Sequence, residues 1–593
     1  MAESFRITDF KTLANLRTKF QDRNEARSEL RQIYALDTET DEGGNIVLVA
    51  DSNENYLELD NITPRNIIKF LFSKRYQGTW NFFYNLTFDA EVILKTLGKV
   101  LYNYTKTRNL SFKFEGYTIH YIPQKSLSIK KGHHSSVFFD IAQYYHESLD
   151  QAYLHNIGKL PKWYLEIKSK RKSFTRYFYK HNARTVRKYC FADCTFTKQL
   201  AEHWIKLFNQ AFGFNAQRWI SSGYLAEKVL INNKIPLPRF SDISYDVQEL
   251  AWNSYFGGRF EILKRGFIGQ AYLYDINSAY PYAFANIPDI TKGNWIQSDK
   301  LDKNALLGFF KINTNIPDCK YVPPFPYRKN HKVIFPSGRF TSYCTLAELK
   351  ACRNPDYYTI LESWQYLDNN PEYPYKEFIE SIYKKRLELK QENNPIQLPL
   401  KVILNSLYGK TAQRKGNKIG NLFSPIIAST ITGITRAMLY DFVQKYDIER
   451  NVVSFATDSI ITTKKIEIDS EKLGDFKFEN SGDDVYVLQN GIYRFNGKWK
   501  KRGIGKLGIK PIEHLDTMEK DGKLYQVFKL LRVNRLRTCI LNNSLGEIGK
   551  FSTVQRLVNL NADRKRMWFE DLKDVNDGIM IDSLPISLRY FKK

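Results

Sequence analysis

Asp275 ends a short apolar run in YLYDINSAYP (Tyr272 to Pro281), and Asp458 sits between two further apolar runs in VVSFATDSIITT (Val452 to Thr463). The first stretch reads as a buried strand that stops on its carboxylate and then turns through Asn277, Ser278 and Pro281. The second reads as a hairpin folded over Thr457-Asp458-Ser459, with the acid at its tip. Carboxylates held at strand ends can grip a pair of divalent cations about 3.5–4 Å apart, the apparatus of in-line phosphoryl transfer. A second set of acids lies upstream. Asp37 and Glu39 alternate in IYALDTET and so project from one face of a strand. In WNFFYNLTFDAEVIL an aromatic strand breaks at Asn85 and a helix opens near Asp89. Tyr189 and Asp193 lie four apart in the helical pattern TVRKYCFADCTFTKQL and share a face. Together Asp37, Glu39, Asp89 and Asp193 can form a two-metal site that turns a water on a phosphodiester, with the Tyr189 hydroxyl orienting that water. Taken singly each is bland, since a lone D-x-E is most often a solvated strand end.

Groups of this kind need rigid carriers. YKEFIESIYKKRLELKQ is a basic helix, and LPLKVILNSLYGKTAQ a second helix on which Lys401, Asn405 and Tyr408 fall at i, i+4 and i+7, with Gly409 closing the turn. That face offers a cation for a triphosphate, an amide, and a ring for a base or sugar. Arg386 and Lys390 on the preceding helix either add phosphate contacts or form a solvated basic face. NSYFGGRFEI holds Tyr255, Gly257 and Gly258 in a glycine turn. In YRFNGKWKKRGIGK, Lys500, Lys501, Arg502 and Gly503 cluster beside aromatics, so that the chain could approach a nucleic-acid backbone closely. Residues 288 to 375 are rich in Pro, Tyr and Lys with irregular periodicity, and residues 1 to 30 read as one or two charged amphipathic helices.

Length suggests about three or four domains. Lys and Arg exceed Asp and Glu by 89 to 63, a net charge of +26 that fits a polyanion binder. A basic membrane-surface protein would carry the same total, but no run of about 18 apolar residues occurs. Glu3, Asp9, Asp22, Glu25 and Glu29 fit neither a signal nor a transit peptide. A soluble intracellular protein with no membrane partner is the expectation. Six cysteines are too scattered for a disulfide framework. Cys190 and Cys194 are spaced for a metal on a helix, but no second pair accompanies them, so packing is their expected role.

The order of these motifs resembles family B DNA polymerases. Asp37-x-Glu39, Asn85-x-x-x-Asp89 and Tyr189-x-x-x-Asp193 look like the three motifs of the 3′–5′ proofreading exonuclease, and Ser148-Leu149 looks like its single-strand-binding pair. Tyr255-x-Gly257-Gly258 is similar to the Y-x-G-G motif of protein-primed members, which contacts DNA and coordinates the two activities. YLYDINSAYP resembles the first polymerase motif, with Ala279 for Leu. The resemblance implies that Asp275 and Asp458 bind the metals, with Ile276 counted among the metal-site residues and Ser278 among the nucleotide-binding ones. Tyr280 would lie under the incoming sugar and exclude a 2′-hydroxyl. Lys401-x-x-x-Asn405-Ser406-Leu407-Tyr408-Gly409 matches the second motif in full, and Lys500-Lys501-Arg502-Gly503 the primer-binding one. The implied fold is α/β multidomain: a ribonuclease-H-like exonuclease domain plus a right-hand polymerase with antiparallel palm sheet, helical fingers and thumb.

Besides Ala279, the chain departs from the family in three places. The third motif is Ala456-Thr457-Asp458 rather than D-T-D, Gly491-Ile492-Tyr493 keeps only the tyrosine of Lys-x-Tyr, and the second insertion shrinks to a basic turn. The implied layout is an N-terminal extension at 1–30, exonuclease at 31–215, palm at 216–287 and 425–510, an insertion at 288–375, fingers at 376–412, a shortened second insertion at 413–424 and thumb at 511–593. Implied ligands are two Mg²⁺ or Mn²⁺ per site and dNTPs. Implied partners are primer-template DNA, a terminal protein that primes synthesis on a viral or plasmid linear genome, and a single-stranded-DNA-binding protein. An exonuclease on a degenerate polymerase body, a DNA-primed polymerase and a DNA-binding scaffold remain the rival readings.

Overall fold

The computed structural model describes residues 27–103, 111–170, 175–415, 418–502, 516–520, 523–573 and 578–589. Its first sheet is built from β1 (Ile33–Thr40), β2 (Ile46–Asp51), β3 (Tyr56–Glu58) and β4 (Trp80–Phe83). Helix α1 (Leu86–Lys95) follows, then β5 (Ser111–Phe114), β6 (Tyr117–Ile122), β7 (Ser126–Lys131) and β8 (His134–Asp140). The eight strands run in the order β3-β2-β1-β4-β8-β7-β6-β5. β1, β4 and β8 are parallel to one another, so both faces of this centre must be covered by helices, and its residues are apolar on both sides. Leu36 and Phe83 pack with α1, while Ile33, Trp80 and Phe82 pack with Leu200 and Trp204 of α4 (Ala183–Phe212). Between β8 and α4 come α2 (Leu149–Asn156) and α3 (Lys162–Lys170), and after α4 comes α5 (Ser222–Asn232).

A nine-stranded sheet forms the second body. Its spine is β9 (Arg259–Ile262) and β10 (Lys264–Ile276), after which α6 (Ala279–Ala285) turns away. Residues beyond Asp289 then leave the sheet and return. Asp289 N donates to Glu372 O at 2.8 Å, so both ends of this excursion meet. Within it β11 (Asn294–Ser298), β12 (Leu307–Thr314), β13 (Thr341–Thr345) and, after α7 (Leu346–Ala351), β14 (Tyr358–Leu367) form an antiparallel sheet in the order β11-β14-β12-β13. The irregular periodicity read in 288–375 thus conceals a regular sheet. A register shift at Lys311/Ile312 and the loop holding Pro323, Pro324, Pro326 and Pro336 break the alternation that would have disclosed it.

Three helices follow: α8 (Lys376–Gln391), α9 (Gln397–Thr411) and α10 (Pro425–Lys445). Gly409 does not close α9, which runs on to Thr411. Gly409 is absent from the left-handed positions, so it stays helical, and the Thr411 hydroxyl donates back to Tyr408 O at 2.7 Å. Among the described residues α10 is the one helix long and apolar enough to cross a membrane, and most of it is buried inside the protein. Its residues Leu439, Phe442 and Val443 pack on Tyr274, Ile276 and Ile460 of the sheet. The chain then returns through β15 (Val452–Thr457), β16 (Ser459–Thr462), β17 (Phe476–Gln489), β18 (Ile492–Phe495) and β19 (Lys498–Lys501), giving the order β9-β15-β16-β10-β17-β18-β19.

The last segment, 511–593, contributes to three parts of the structure. β20 (Asp516–Lys520), β21 (Lys523–Val533) and β22 (Phe551–Asn559) make a separate sheet. Between β21 and β22, α11 (Leu536–Leu541) enters the core of the first body. β23 (Arg566–Trp568) and β24 (Met580–Pro585) rejoin the nine-stranded sheet, β24 pairing with β10. Arg566 explains the return: it is buried and bonded to Glu261 and Ser583, a charge that needs this partner to leave water. The helices expected over residues 1 to 30 lie almost wholly outside the described residues, and Arg27–Ser28 are extended, paired with Asn215–Ala216. Gly503 also lies outside the described residues.

Candidate active sites

β1 is central and parallel to β4, and the carboxyl end of such a strand is where a doubly covered sheet opens to solvent. Asp37 and Glu39 occupy that end, and their carboxylates lie within 4.8 Å of each other and of the Cys190 thiol. Asp89, in the first turn of α1, accepts from Thr38 N at 3.1 Å and Thr38 Oγ1 at 2.6 Å, which sets it against the residue between the two acids. α4 contributes Tyr189, Cys190 and Asp193 from one side, and the Cys190 thiol points to Asp37 Oδ2 at 3.7 Å. Asp193 accepts from the Tyr164 hydroxyl at 2.5 Å, and the Tyr164 ring stacks on Tyr189 with centroids 5.1 Å apart. The hydroxyl resolved on the acid is therefore that of Tyr164, with Tyr189 as its buried stacking partner. Asn85 caps α1 in the left-handed conformation (φ 62°), and its N–H donates to Asp140 Oδ1 at 3.0 Å. Burial pushes the Asp140 carboxyl up to about 6 despite N–H bonds that lower it. Asp37, Tyr189, Asp193, Asn85, Ser148 and Leu149 all line one cavity of about 940 Å³.

Asp275 is the penultimate residue of β10, and Asp458 lies between β15 and β16, directly after Thr457 (φ 74°). β10 pairs with β16 so that Asp275 faces Ser459, and Ile276 N donates to Asp458 O at 2.9 Å. A cavity of about 190 Å³ is lined by Asp275, Ile276, Ser278, Asp458, Asn405, Arg386 and Lys390. α8 and α9 thus bring basic and amide groups over the carboxylate pair. Arg386 Nε is buried there with no hydrogen-bond partner among the described residues, and burial lowers the proton affinity of its guanidinium. A buried cation without a partner suits an anionic ligand. Lys401, one turn before Asn405, is exposed and lines neither cavity.

Three tyrosines join the parts. Tyr255 and Tyr408 share a hydroxyl–hydroxyl hydrogen bond of 2.8 Å, and Tyr408 packs on Tyr280 with ring centroids 4.5 Å apart. The Tyr280 hydroxyl is pushed up to about 12 by burial and by Asp458. Gly258 is wedged against the hairpin: a β-carbon there would meet Thr457 Cγ2 at 2.8 Å. The Phe256 and Gly257 carbonyls accept from Arg436 Nη1 at 2.7 and 2.9 Å, and the same guanidinium grips Glu348 through Nε and Nη2. Arg436 thereby ties α10, α7 and the glycine turn together. Further along, Lys500 lies over the Tyr493 ring at 5.5 Å and Arg502 over Phe260 at 4.7 Å, while the side chain of Lys501 is not described. Gly491 has no room for the expected lysine, since a β-carbon would meet Arg502 Cβ at 2.7 Å. Sequence reasoning missed Tyr164, Asp140, Cys190 beside the acids, and Arg436. Only Arg436, a charge within an apolar helix, carried any signal of its role.

A family model described as DNA polymerase type B, organellar and viral, matches residues 75–425. The DNA polymerase of Acidianus bottle-shaped virus (isolate Italy/Pozzuoli) is 28% identical over 435 residues, 65% of this chain and 63% of that protein. A probable DNA polymerase of Ascobolus immersus is 22% identical over 498 residues, 72% of this chain and 40% of that protein. The alignments thus span less than two thirds of both relatives. Among solved structures, phi29 DNA polymerase in its orthorhombic crystal form aligns with a TM-score of 0.59 at 14% identity, covering 84% of this chain and 98% of that one. Its complex with primer-template DNA and incoming nucleotide aligns at 0.58, covering 90% and 100%. The chain therefore has the fold of phi29 DNA polymerase, and it belongs to the organellar and viral type B DNA polymerase family.

Proposed function

We propose that this protein is a DNA-directed DNA polymerase that extends a 3′ end at Asp275 and Asp458 and removes nucleotides from a 3′ end at Asp37, Glu39, Asp89 and Asp193. The observation that carries the reading is the 940 Å³ cavity, whose wall runs from Asp37, Tyr189 and Asp193 to Asn405, Tyr408 and Gly409. A 3′ end could pass between the two carboxylate groups without leaving the protein. Asn405 lines both cavities. Arg386 and Lys390 would take the nucleotide phosphates, with the Tyr280–Tyr408 ring pair beneath the sugar. Ser148, Leu149 and Asn85 would hold the unpaired strand, and Tyr255, Gly257, Gly258, Tyr493, Lys500 and Arg502 the primer-template.

Both acid groups fit divalent cations. Asp275 is pushed up to about 7, chiefly by burial and then by Asp458 and Glu479, while burial also raises Asp458. A cation would relieve that repulsion, and Asp37, Glu39 and Cys190 already converge within 4.8 Å. Mg²⁺ or Mn²⁺ bound there would lower the pKa of the attacking hydroxyl or water and neutralise charge on the leaving oxygen. Because burial and Asp458 push the Asp275 carboxyl up to about 7, protons would compete with metal below that value. Metal affinity at the polymerase site should fall about tenfold for each pH unit below about 7 and level off above it. Mn²⁺ titrations followed by electron paramagnetic resonance from pH 5.5 to 8.5 would show this, and a flat profile would refute the assignment.

The direct experiment is a gel assay of a primed template with dNTPs and Mg²⁺ or Mn²⁺. Wild type should extend the primer and, without dNTPs, shorten it. Asp37→Ala should abolish shortening, a loss of about 10³-fold or more, and spare extension. Shortening without extension under both metals would replace this reading with that of a nuclease. The family's viral members and the sheet inserted at 288–375 also support priming by a terminal protein inside a host cell, with a single-stranded-DNA-binding protein as accessory. Failure of a cognate terminal protein to accept the first nucleotide, with normal DNA-primed extension, would exclude it.

A further inference from the structure

The link between β21 and β22 does not close as a hairpin. Asn534 N bonds Lys550 O at 2.9 Å and Gly549 N bonds Asn534 O at 3.1 Å, and the residues between them project away from their own sheet. Leu536, Cys539, Ile540 and Ile548 are buried in the same apolar cluster as Leu36, Leu86 and Val92 of the exonuclease body. Leu536 N donates to Glu91 Oε2 at 3.1 Å, and Arg535 lies 3.9 Å from the same carboxylate. At the other end Gly549 (φ 82°) fits so closely on α1 that a β-carbon would meet Val92 Cγ1 at 2.6 Å. Gly44, in the turn after β1, meets the Ile548 and Gly549 backbone equally closely, and Lys95 Nζ donates to the Gly43 and Gly44 carbonyls at 2.8 and 3.2 Å. Apart from Leu36 of β1, the partners named here lie on α1 or on the β1–β2 turn.

α1 carries Asp89 one half-turn from Glu91, and β1 carries Asp37 and Glu39. We propose that residues 534–550 are a strap by which the β20–β22 sheet braces α1, so that Glu91 and Leu536 act as positioning residues for Asp89. The inference rests on the nuclease reading of that acid. This sheet, which lies in the thumb of the implied layout, would then be coupled to the nuclease centre: when it shifts, α1 loses its brace and Asp89 its place beside Thr38. Leu536, Cys539, Ile540 and Ile548 of the strap share the buried cluster of α1.

Two variants test it. Glu91→Leu removes the acceptor but fills much the same space with an apolar side chain, and Gly549→Ala leaves the core side chains intact but blocks the seat on Val92. Hydrogen exchange of the α1 amides and degradation of single-stranded DNA should be measured for both, with primer extension as the control for folding. Exchange across residues 86–95 should rise in both variants, and degradation should fall by about tenfold to a hundredfold, as expected when a catalytic group is misplaced by about 1 Å. Extension of a primer by one nucleotide should stay at the wild-type rate. Unchanged α1 exchange in both variants would overturn the strap. A wild type without nuclease activity would instead defeat the nuclease reading, and the exchange result would still decide whether α1 is braced.

Discussion

Asp275→Asn should lower primer extension by about 10⁴-fold, equivalent to about 5.5 kcal/mol of transition-state stabilisation, and leave single-strand degradation within about twofold. The two effects separate because Asp275 stands on the nine-stranded sheet, whereas Asp37 and Glu39 stand on β1 of the eight-stranded sheet and Asp89 and Asp193 on α1 and α4, which cover it. Asparagine fills the same space but brings no charge to a cation, and nothing else on β10 can replace it. The substitution should also leave the metal-free protein as stable or more so. Burial and Asp458 disfavour the Asp275 charge, so that stability is lost as pH rises through about 7 and the neutral side chain removes that loss. Single-turnover extension and thermal melting at pH 8 would read both outcomes. Extension within about tenfold of wild type would mean that Asp275 does not hold the reacting metal.

Arg436→Ala should cost about 3–5 kcal/mol, the usual penalty for leaving one member of a buried ion pair uncompensated. Arg436 and Glu348 are each 2% exposed. Removing the guanidinium strands the Glu348 charge on its two bonds to Thr345 and frees the Phe256 and Gly257 carbonyls. The second loss reaches the chemistry, because the glycine turn holds Tyr255 against Tyr408 and Gly258 against Thr457. Urea unfolding followed by tryptophan fluorescence should show the shift, with Trp252 stacked on Tyr255 as a local reporter. Arg436→Met combined with Glu348→Leu should recover most of the stability, since matched apolar side chains often replace a buried pair at little cost. Recovery of stability without recovery of extension would isolate the two carbonyl bonds as what the turn needs.

The strand ends were legible because a strand that stops on Asp275, or turns at Asp458, leaves a local signature of apolar residues and turn formers. The same holds for α4, whose four-residue spacing put Tyr189 and Asp193 on one side. What escaped was whatever depends on distant chain. Tyr164 reaches Asp193 from 29 residues away, and no spacing rule connects them. Asp140 reads as an ordinary strand end until Asn85 is seen to bond it. The return of Arg566 to Glu261, 305 residues upstream, could not be read from either segment alone. Gly409 was misjudged for a different reason: glycine after a helical run usually marks a stop, and here the helix simply continues toward a cavity with open space around the missing side chain.

The hydrogen bond between Asp289 and Glu372 has an evolutionary reading. An excursion whose two ends meet can be gained, trimmed or exchanged without rethreading the chain, and each doubling of such a loop adds only about 0.6 kcal/mol of closure cost. The inserted sheet is therefore built as a cassette, although Arg566 and Arg259 of the sheet beneath donate to the Tyr321 and Pro323 carbonyls inside it at 3.0 and 3.1 Å. Arg436 and Glu348 are what make this cassette hard to swap: a replacement would have to supply an acid at the same place, or the glycine turn would lose its anchor.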